Sequence, residues 1–288
     1  MASWTARRRA TRGARFAGRR AANSGRKAAN STALRVLARV GLAARGVMYV
    51  VIGWLAVQIA VSHSGRQADQ AGALHAIAAT PVGGVLLWLL VIGFTGMTLW
   101  RLCEAAYGTP GTSTRKPSQR LAALGKAVVY AVIAYSVLKY AVGAGGPQSS
   151  DAQSVDLTAT VMKYPGGRIL VIIIGLALVG GGAYLAYQAW KKEFRQDLQL
   201  RDLHGHLRRV VEWLGEFGGI ARGAVFVTAG VFLIVAAAEA RPQQAKGADS
   251  ALRSLAATPA GPWLLVLVAV GLIMFGVFSW CEARWLRL

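Results

Sequence analysis

The 288-residue sequence predicts an all-α integral membrane protein, a six-helix bundle of three tandem two-helix repeats with pseudo-three-fold symmetry about the membrane normal. Two observations support this fold class: six long apolar segments and an internal repeat. The apolar segments lie at about residues 42–61, 82–102, 122–143, 167–190, 218–238 and 261–281. As helices rising about 1.5 Å per residue, each can cross a hydrocarbon core of about 30 Å. Strands are excluded because a lipid-exposed strand leaves backbone groups without hydrogen bonds.

The internal repeat is clearest between the first and last pairs of apolar segments. Residues 78–81 (Ala-Ala-Thr-Pro) recur at 256–259, and Cys-Glu at 103–104 recurs at 281–282 with the same offset of 178. Ala-Arg-Gly at 44–46 matches 221–223, and the middle pair of apolar segments shows a weaker match with Gly-Lys-Ala at 125–127. The threonine before each proline is a candidate N-cap, with proline at the first helical position.

These patterns divide the chain into five parts. They are a basic tail at 1–36, repeats at 37–110, 120–192 and 216–288 with two transmembrane helices each, and an amphipathic connector at 193–215. Since every repeat has an even number of spans, all three point the same way across the membrane. An inverted-repeat transporter is therefore excluded.

The distribution of Lys and Arg predicts the orientation. The segments 1–41, 101–126, 191–222 and 284–288 hold 25 basic residues, whereas the loops 62–80, 145–164 and 239–258 hold 5. By the positive-inside rule both termini are cytoplasmic. The predicted location is the bacterial plasma (inner) membrane, as a multi-pass protein.

The tail at 1–36 carries ten basic residues and no acid. We expect a disordered cytoplasmic segment held near anionic lipids, at about 1 kcal/mol per basic residue. An organellar transit peptide and salt-sensitive nonspecific nucleic-acid contacts are the alternatives. No specific nucleic acid is expected as a partner, because no folded reading module follows.

Apolar residues of the connector recur at helical spacing between basic ones, which predicts a helix lying in the cytoplasmic interface. It serves either as a passive link between the second and third repeats or as a docking surface for another membrane protein.

Motifs for catalysis and for metal or cofactor binding are missing from the sequence. It has no phosphate-binding glycine loop, no nucleophile elbow and no metalloprotease helix, and its four His and two Cys do not stand at metal-ligand spacing. We therefore predict no catalytic residue, no metal, no cofactor and no enzymatic activity.

One set of residues suggests binding chemistry, because each repeat has a basic residue near the start of its first helix. These residues are Arg45, Lys126 and Arg222, and an aromatic residue follows each four positions later. Three cations at one depth would suit an anion or a lipid head group. The alternative is that Glu104 and Glu282, at the ends of the second helices, pair with the arginines of their own repeats. Lys126 would then be unpaired, because Gln188 stands at the third equivalent position.

The sequence resembles the bacterial domain of unknown function (DUF) 1206 family. The residues that carry the resemblance are Ala-Arg-Gly-Val-x-Tyr at 44–49, Ala-Thr-Pro at 79–81 and 257–259, Trp-Arg-Leu at 100–102 and Cys-Glu-Ala-Arg-Trp at 281–285. It covers about residues 37–288 and implies a small six-span membrane protein of two-helix repeats. It implies no activity.

We therefore expect a non-enzymatic structural module, or one that binds a partner or lipid. Its expected partners are the bilayer, anionic lipids at the cytoplasmic face and another membrane protein. The alternative is a transporter or channel for a small molecule or anionic lipid, which would require a polar cavity along the bundle axis.

Overall fold

The computed structural model describes residues 32–62, 67–107, 117–144, 149–196, 198, 205–245, 247–256 and 261–285. The predicted all-α fold is confirmed. The α-helices are α1 (Thr32–Ser62), α2 (Gln70–Ala78), α3 (Gly83–Tyr107), α4 (Pro117–Ala141), α5 (Ser150–Met162), α6 (Gly167–Trp190), α7 (Gly205–Ala238), α8 (Ala248–Ala256) and α9 (Gly261–Trp285). Short 3₁₀ turns cover Glu193–Gln196 and Pro242–Gln244. The predicted tail, apart from the start of α1, lies outside the described residues.

Six helices are long and apolar enough to cross a membrane, as predicted: α1, α3, α4, α6, α7 and α9. The short helices α2, α5 and α8 lie one in each loop that joins the two spanning helices of a repeat. We call this side of the bundle the short-helix side and the opposite one, which carries both ends of the described chain, the terminal side.

The spanning helices pack as an open arc in the order α4, α3, α1, α9, α7 and α6. The most extensive contacts join helices of different repeats: α3 with α4, α6 with α7, and α9 with α1. Glycines allow two of these close approaches. A Cβ atom on Gly223 would lie 2.6 Å from the Gly182 carbonyl oxygen, and one on Gly276 would lie 2.7 Å from that of Gly46. Such pairs let helices dock where lipid provides no hydrophobic force between them.

The two ends of the arc are the spanning helices of the second repeat. Among the described residues, α4 and α6 do not form one of the extensively packed pairs, although the corresponding helices of the first and third repeats do. Both helices consequently expose much of their apolar surface. The pseudo-three-fold relation between the repeats stays a prediction.

The connector departs from the expectation of a separate interfacial helix. Residues 205–215 are the first turns of α7, which continues without a break into the spanning segment. Glu212 lies 2.5 Å from Arg195 and 3.0 Å from Arg208, and Glu216 lies 2.9 Å from Lys192. The pairs with Arg195 and Lys192 hold the chain after α6 against α7, which favours a helix that continues the span over one that lies in the membrane surface.

The predicted N-cap at Thr80 is also wrong. Its hydroxyl donates to the Ile77 carbonyl oxygen at 2.7 Å, so it closes the end of α2, and α3 begins three residues later at Gly83. Thr258 and Pro259 lie outside the described residues.

The short helices are joined by hydrogen bonds to aspartates. Asp69, which is fully buried, caps α2 by accepting from the Gly72 amide at 2.9 Å. Its second oxygen accepts from the Ser150 amide at 2.6 Å and from the Ser150 hydroxyl at 3.0 Å, which ties the first repeat to the start of α5 in the second.

Equivalent aspartates continue these links in the same direction. Asp151 of the second repeat accepts from the Gly247 amide at 2.7 Å and the Ser250 hydroxyl at 2.5 Å, both in the third repeat. Asp249 of the third repeat accepts from the Ala68 amide of the first at 2.7 Å. The three links form a closed cycle around the short-helix side, which is the order that a three-fold arrangement predicts.

We predict that Asp69→Ala destabilises the protein by about 2–4 kcal/mol, because it leaves the Gly72 and Ser150 amides without their acceptor. Thermal unfolding in detergent should show a clear decrease in melting temperature. Glu239→Ala is the control, since it removes an exposed carboxylate near the same side and should change stability by less than about 1 kcal/mol. Equal melting temperatures for the two variants would contradict a structural role for the aspartate cycle.

Candidate anion site

The three predicted cations lie at a common level in the bundle. Arg45, Lys126 and Arg222 stand about 15 to 17 residues before the ends of α1, α4 and α7 on the short-helix side, which is roughly 23 to 26 Å along each helix. The helices begin earlier than predicted, so these residues lie well inside them. All three remain in the terminal-side half of a bilayer-sized span.

Arg45 is a buried residue with one polar partner at each of its three guanidinium nitrogens. Its Nε donates to the Ser279 hydroxyl at 3.1 Å, an Nη donates to the Tyr130 hydroxyl at 3.5 Å, and the other Nη forms an ion pair with Glu282. The guanidinium also lies over the Phe275 ring, 5.2 Å from its centroid. Arg45 therefore has its countercharge inside the protein.

These contacts correct the predicted pairing scheme. Arg45 of the first repeat pairs with Glu282 of the third, whereas Glu104 of the first pairs with Arg101 at 2.6 Å. The reason is the packing, because the closest contacts of α1 are with α9 and not with α3 of its own repeat.

The cation that faces Gln188 instead of a carboxylate is consequently Arg222, whereas the sequence predicted Lys126. Since α7 packs on α6, the position that should supply a carboxylate to Arg222 is Gln188 of the second repeat. The Gln188 amide instead donates to the Tyr184 hydroxyl at 2.9 Å and to Glu193 at 3.0 Å. Lys126 lies on α4, which packs on α3, so the carboxylate that acts on it is that of Glu104.

Arg222 has no ion pair or hydrogen bond among the described residues, and its Nε is buried without a partner. Its contacts are aromatic. The guanidinium carbon lies 4.9 Å from the Phe275 ring centroid, 5.5 Å from that of Phe226 and 5.8 Å from that of Tyr49. Aromatic faces stabilise the cation but leave the in-plane donors of the guanidinium unused.

The region around Arg222 has an excess of positive charge. Four basic side chains interact electrostatically with Tyr130 or with one another: Arg45, Arg101, Lys126 and Arg222. The carboxylates that pair with members of this group are Glu104 and Glu282. Among these described residues the basic groups outnumber the carboxylates by four to two. The side chain of Lys126 is exposed, so one of these cations is accessible from outside the bundle. An arrangement of this kind suits a phosphate or a carboxylate.

The three cations could be identified from the sequence, whereas several of their partners could not. Ser279 and Phe275 gave no signal, because neither recurs in the other repeats. The aspartates of the cycle carry a weak signal, since Ala-Asp or Ser-Asp occurs at the start of each short helix, at 68–69, 150–151 and 248–249. In the described part of the chain no group of three or more His, Cys, Asp or Glu residues could hold a metal ion.

A family model described as Domain of Unknown Function (DUF1206) matches residues 40–108, 121–192 and 217–286. The chain therefore belongs to the DUF1206 family, as its resemblance indicated, and it is a multi-pass membrane protein with internal repeats. It is 29% identical over 248 residues to the uncharacterised protein YxxB of Bacillus subtilis (strain 168), which covers 85% of this chain and 89% of that protein. No solved structure matches the chain.

We predict that Arg45→Met lowers stability by up to about 3–5 kcal/mol, because Glu282 is left as an uncompensated, mostly buried charge. Adding Glu282→Gln should restore part of the melting temperature in detergent. Glu104→Gln is the matched control and should restore none, since Glu104 pairs with Arg101. Equal rescue by both second substitutions would contradict the pairing across repeats.

Proposed function

We propose that this protein is a non-enzymatic binding module of the bacterial plasma membrane that holds an anionic group, a phosphate or a carboxylate, at Arg222. The observation that carries the proposal is the buried Arg222 Nε without a partner, since the facing helix has Gln188 where the other two repeats have a carboxylate. Lys126 contributes a second, accessible cation. Arg45 adds positive potential, although its own charge is already paired with Glu282.

A binding module is favoured over a transporter by what lies between the cations and the short-helix side. Two apolar clusters of buried residues occupy this region, one packed on α2 and the other on α8. The first includes Met48, Leu87 and Leu90, and the second includes Leu55, Ile59 and Leu265. The hydrogen-bonded aspartates close the same side. A transport path would need polar groups along this route, so the arrangement supports access to the anion from one side.

The binding proposal is tested with purified protein in a detergent of neutral head group. Inorganic phosphate or a short-chain phospholipid should raise the melting temperature of the wild type. Arg222→Gln should weaken this binding by about 10- to 100-fold, the range expected for losing charge-assisted hydrogen bonds. Lys139→Gln, which removes an exposed cation from the far end of α4, is the control and should bind like the wild type. Equal binding by Arg222→Gln and the wild type would refute the proposal.

We propose further that both termini are cytoplasmic, on the basis of 25 basic residues on one side and 5 on the other. In a background without Cys103 and Cys281, an impermeant thiol reagent should label Gln67→Cys and Gln243→Cys in intact cells. His206→Cys should be labelled only after permeabilisation. All three native side chains are exposed, so orientation alone decides the pattern. The reverse pattern would overturn the orientation.

A further inference from the structure

In the first and third repeats, a large side chain fills the interface between the two spanning helices. Met97 of α3 packs on Gly41 of α1, where a Cβ atom on the glycine would lie 2.9 Å from the Met97 Cβ. Phe275 of α9 packs on Gly218 of α7, where a Cβ on the glycine would lie 2.5 Å from the Phe275 backbone. Both large side chains are buried. The first and third repeats thus each place a large residue of their second spanning helix against a glycine of their first.

The second repeat lacks this large side chain. Four residues before its cation, where the other repeats have glycine, the second repeat has Ala122 on α4. Seven residues before Gln188, where the other repeats have Met97 and Phe275, it has Gly181 on α6. Both Ala122 and Gly181 are exposed. Neither can fill the space that methionine or phenylalanine fills in the other repeats. The dispersion contacts of that side chain are lost, and in lipid no hydrophobic force replaces them.

Close approach of α4 and α6 is not prevented by bulk at the next contact along the helices. One turn further toward the short-helix side, the first repeat pairs Gly93 with Ala44, where a Cβ on the glycine would lie 2.8 Å from the alanine Cβ. The equivalent residues of the second repeat are Ala177 and Gly125, which are equally small. The missing large side chain therefore distinguishes the second repeat at this interface.

The result is that α4 and α6 do not form one of the extensively packed pairs among the described residues, and we call the space between them the opening. A Cβ atom on Gly181 would meet nothing within 4 Å, and the same holds for Gly125 on α4. The walls beyond these glycines are apolar and exposed, with Val129 57% exposed and Ile174 43% exposed. The corresponding residues of the first repeat, Met48 and Leu90, are buried.

This opening leads to the uncompensated cations. Lys126 lies on α4, next to Gly125, with its side chain exposed. In the third repeat, Phe275 covers Arg222. In the second repeat the equivalent cation is Lys126, and the residue at the position of Phe275 is Gly181, which has no side chain to cover it. Arg222 also acts on Lys126 electrostatically. A ligand in the opening would therefore meet apolar walls along most of its length and two cations at one end.

We propose that the opening between α4 and α6 is a lateral entrance for an anionic lipid, with the acyl chains between the two helices and the acidic head group at Lys126 and Arg222. The inference rests on the proposed function, because it requires the anion site, and it adds the class of ligand and its route. Charge complementarity selects the lipid. A neutral lipid would leave both cations unmatched, and a second copy of the chain would bring another Lys126 to the same place.

The first experiment changes the opening and leaves the cations unchanged. Gly181→Phe introduces the side chain that the third repeat has at this position, and Gly84→Phe is the matched control because a Cβ there also meets nothing within 4 Å. Binding of phosphatidylglycerol is measured by native mass spectrometry from phosphatidylcholine nanodiscs, and binding of inorganic phosphate by thermal shift. We expect Gly181→Phe to reduce lipid retention by about ten-fold or more and to retain phosphate binding. Gly84→Phe should match the wild type in both.

The outcomes separate the two proposals. Loss of lipid and phosphate binding in Arg222→Gln, with normal lipid binding in Gly181→Phe, keeps the anion site and refutes the entrance. Normal binding of both ligands by Arg222→Gln refutes the proposed function and the entrance with it. A dimer of the wild type that Gly181→Phe converts to a monomer would show that a second copy covers these helices, which also overturns the proposal.

A second experiment needs no substitution and therefore does not depend on the folding of a variant. Phosphatidylglycerol with a photoreactive group in one acyl chain is crosslinked to the wild type, and the products are mapped by mass spectrometry. We expect crosslinks to concentrate on the facing residues of α4 and α6, such as Val129 and Ile174, and to decrease when unlabelled phosphatidylglycerol competes. Crosslinks spread evenly over the exposed faces of α3 and α9 would overturn the entrance.

Discussion

The ion pair between Arg45 and Glu282 shows the constraint on which the rest of the structure depends: a cation inside an apolar bundle needs a countercharge from the helix packed closest to it. That helix belongs to another repeat. The same contact joins the first and last repeats through the close approach of Gly46 and Gly276. Packing and charge neutralisation therefore occur at one interface, and a change in either affects the other.

The fold could be predicted from the sequence because its two signals are strong and independent. Hydropathy alone identifies six spans, since each apolar segment must be a helix in lipid, and the offset of 178 residues identifies the repeat. The start of α7 could not be predicted in this way. The polar residues between 205 and 217 are equally consistent with an interfacial helix, and the ion pairs of Glu212 and Glu216 that hold the helix upright depend on the tertiary structure.

The candidate site was predicted in composition but not in partners. Repeat periodicity placed Arg45, Lys126 and Arg222 at one level, which agrees with their distances from the helix ends. The repeat pattern does not show which neighbour the first spanning helix of a repeat packs on more closely. The second spanning helix of its own repeat and that of the preceding repeat are both consistent with the same spacing along the chain. This choice decides whether Gln188 leaves Lys126 or Arg222 without a carboxylate. The proposed position of the anion therefore depends on a helix contact that the sequence does not encode locally.

The second repeat differs from the other two at Gln188 and Gly181, and the two differences act together because they are close in space. Gln188 removes the countercharge of Arg222, and Gly181 removes the side chain that would close the bundle beside it. Both residues are on α6, about two helical turns apart. If only the carboxylate were lost, Arg222 would be a desolvated charge with no compensation, which is costly in an apolar interior. If only the packing were lost, the opening would lead to a neutralised ion pair with no affinity for an anion. Together they leave Arg222 without a countercharge beside the proposed entrance, which is the arrangement that an anionic ligand can stabilise.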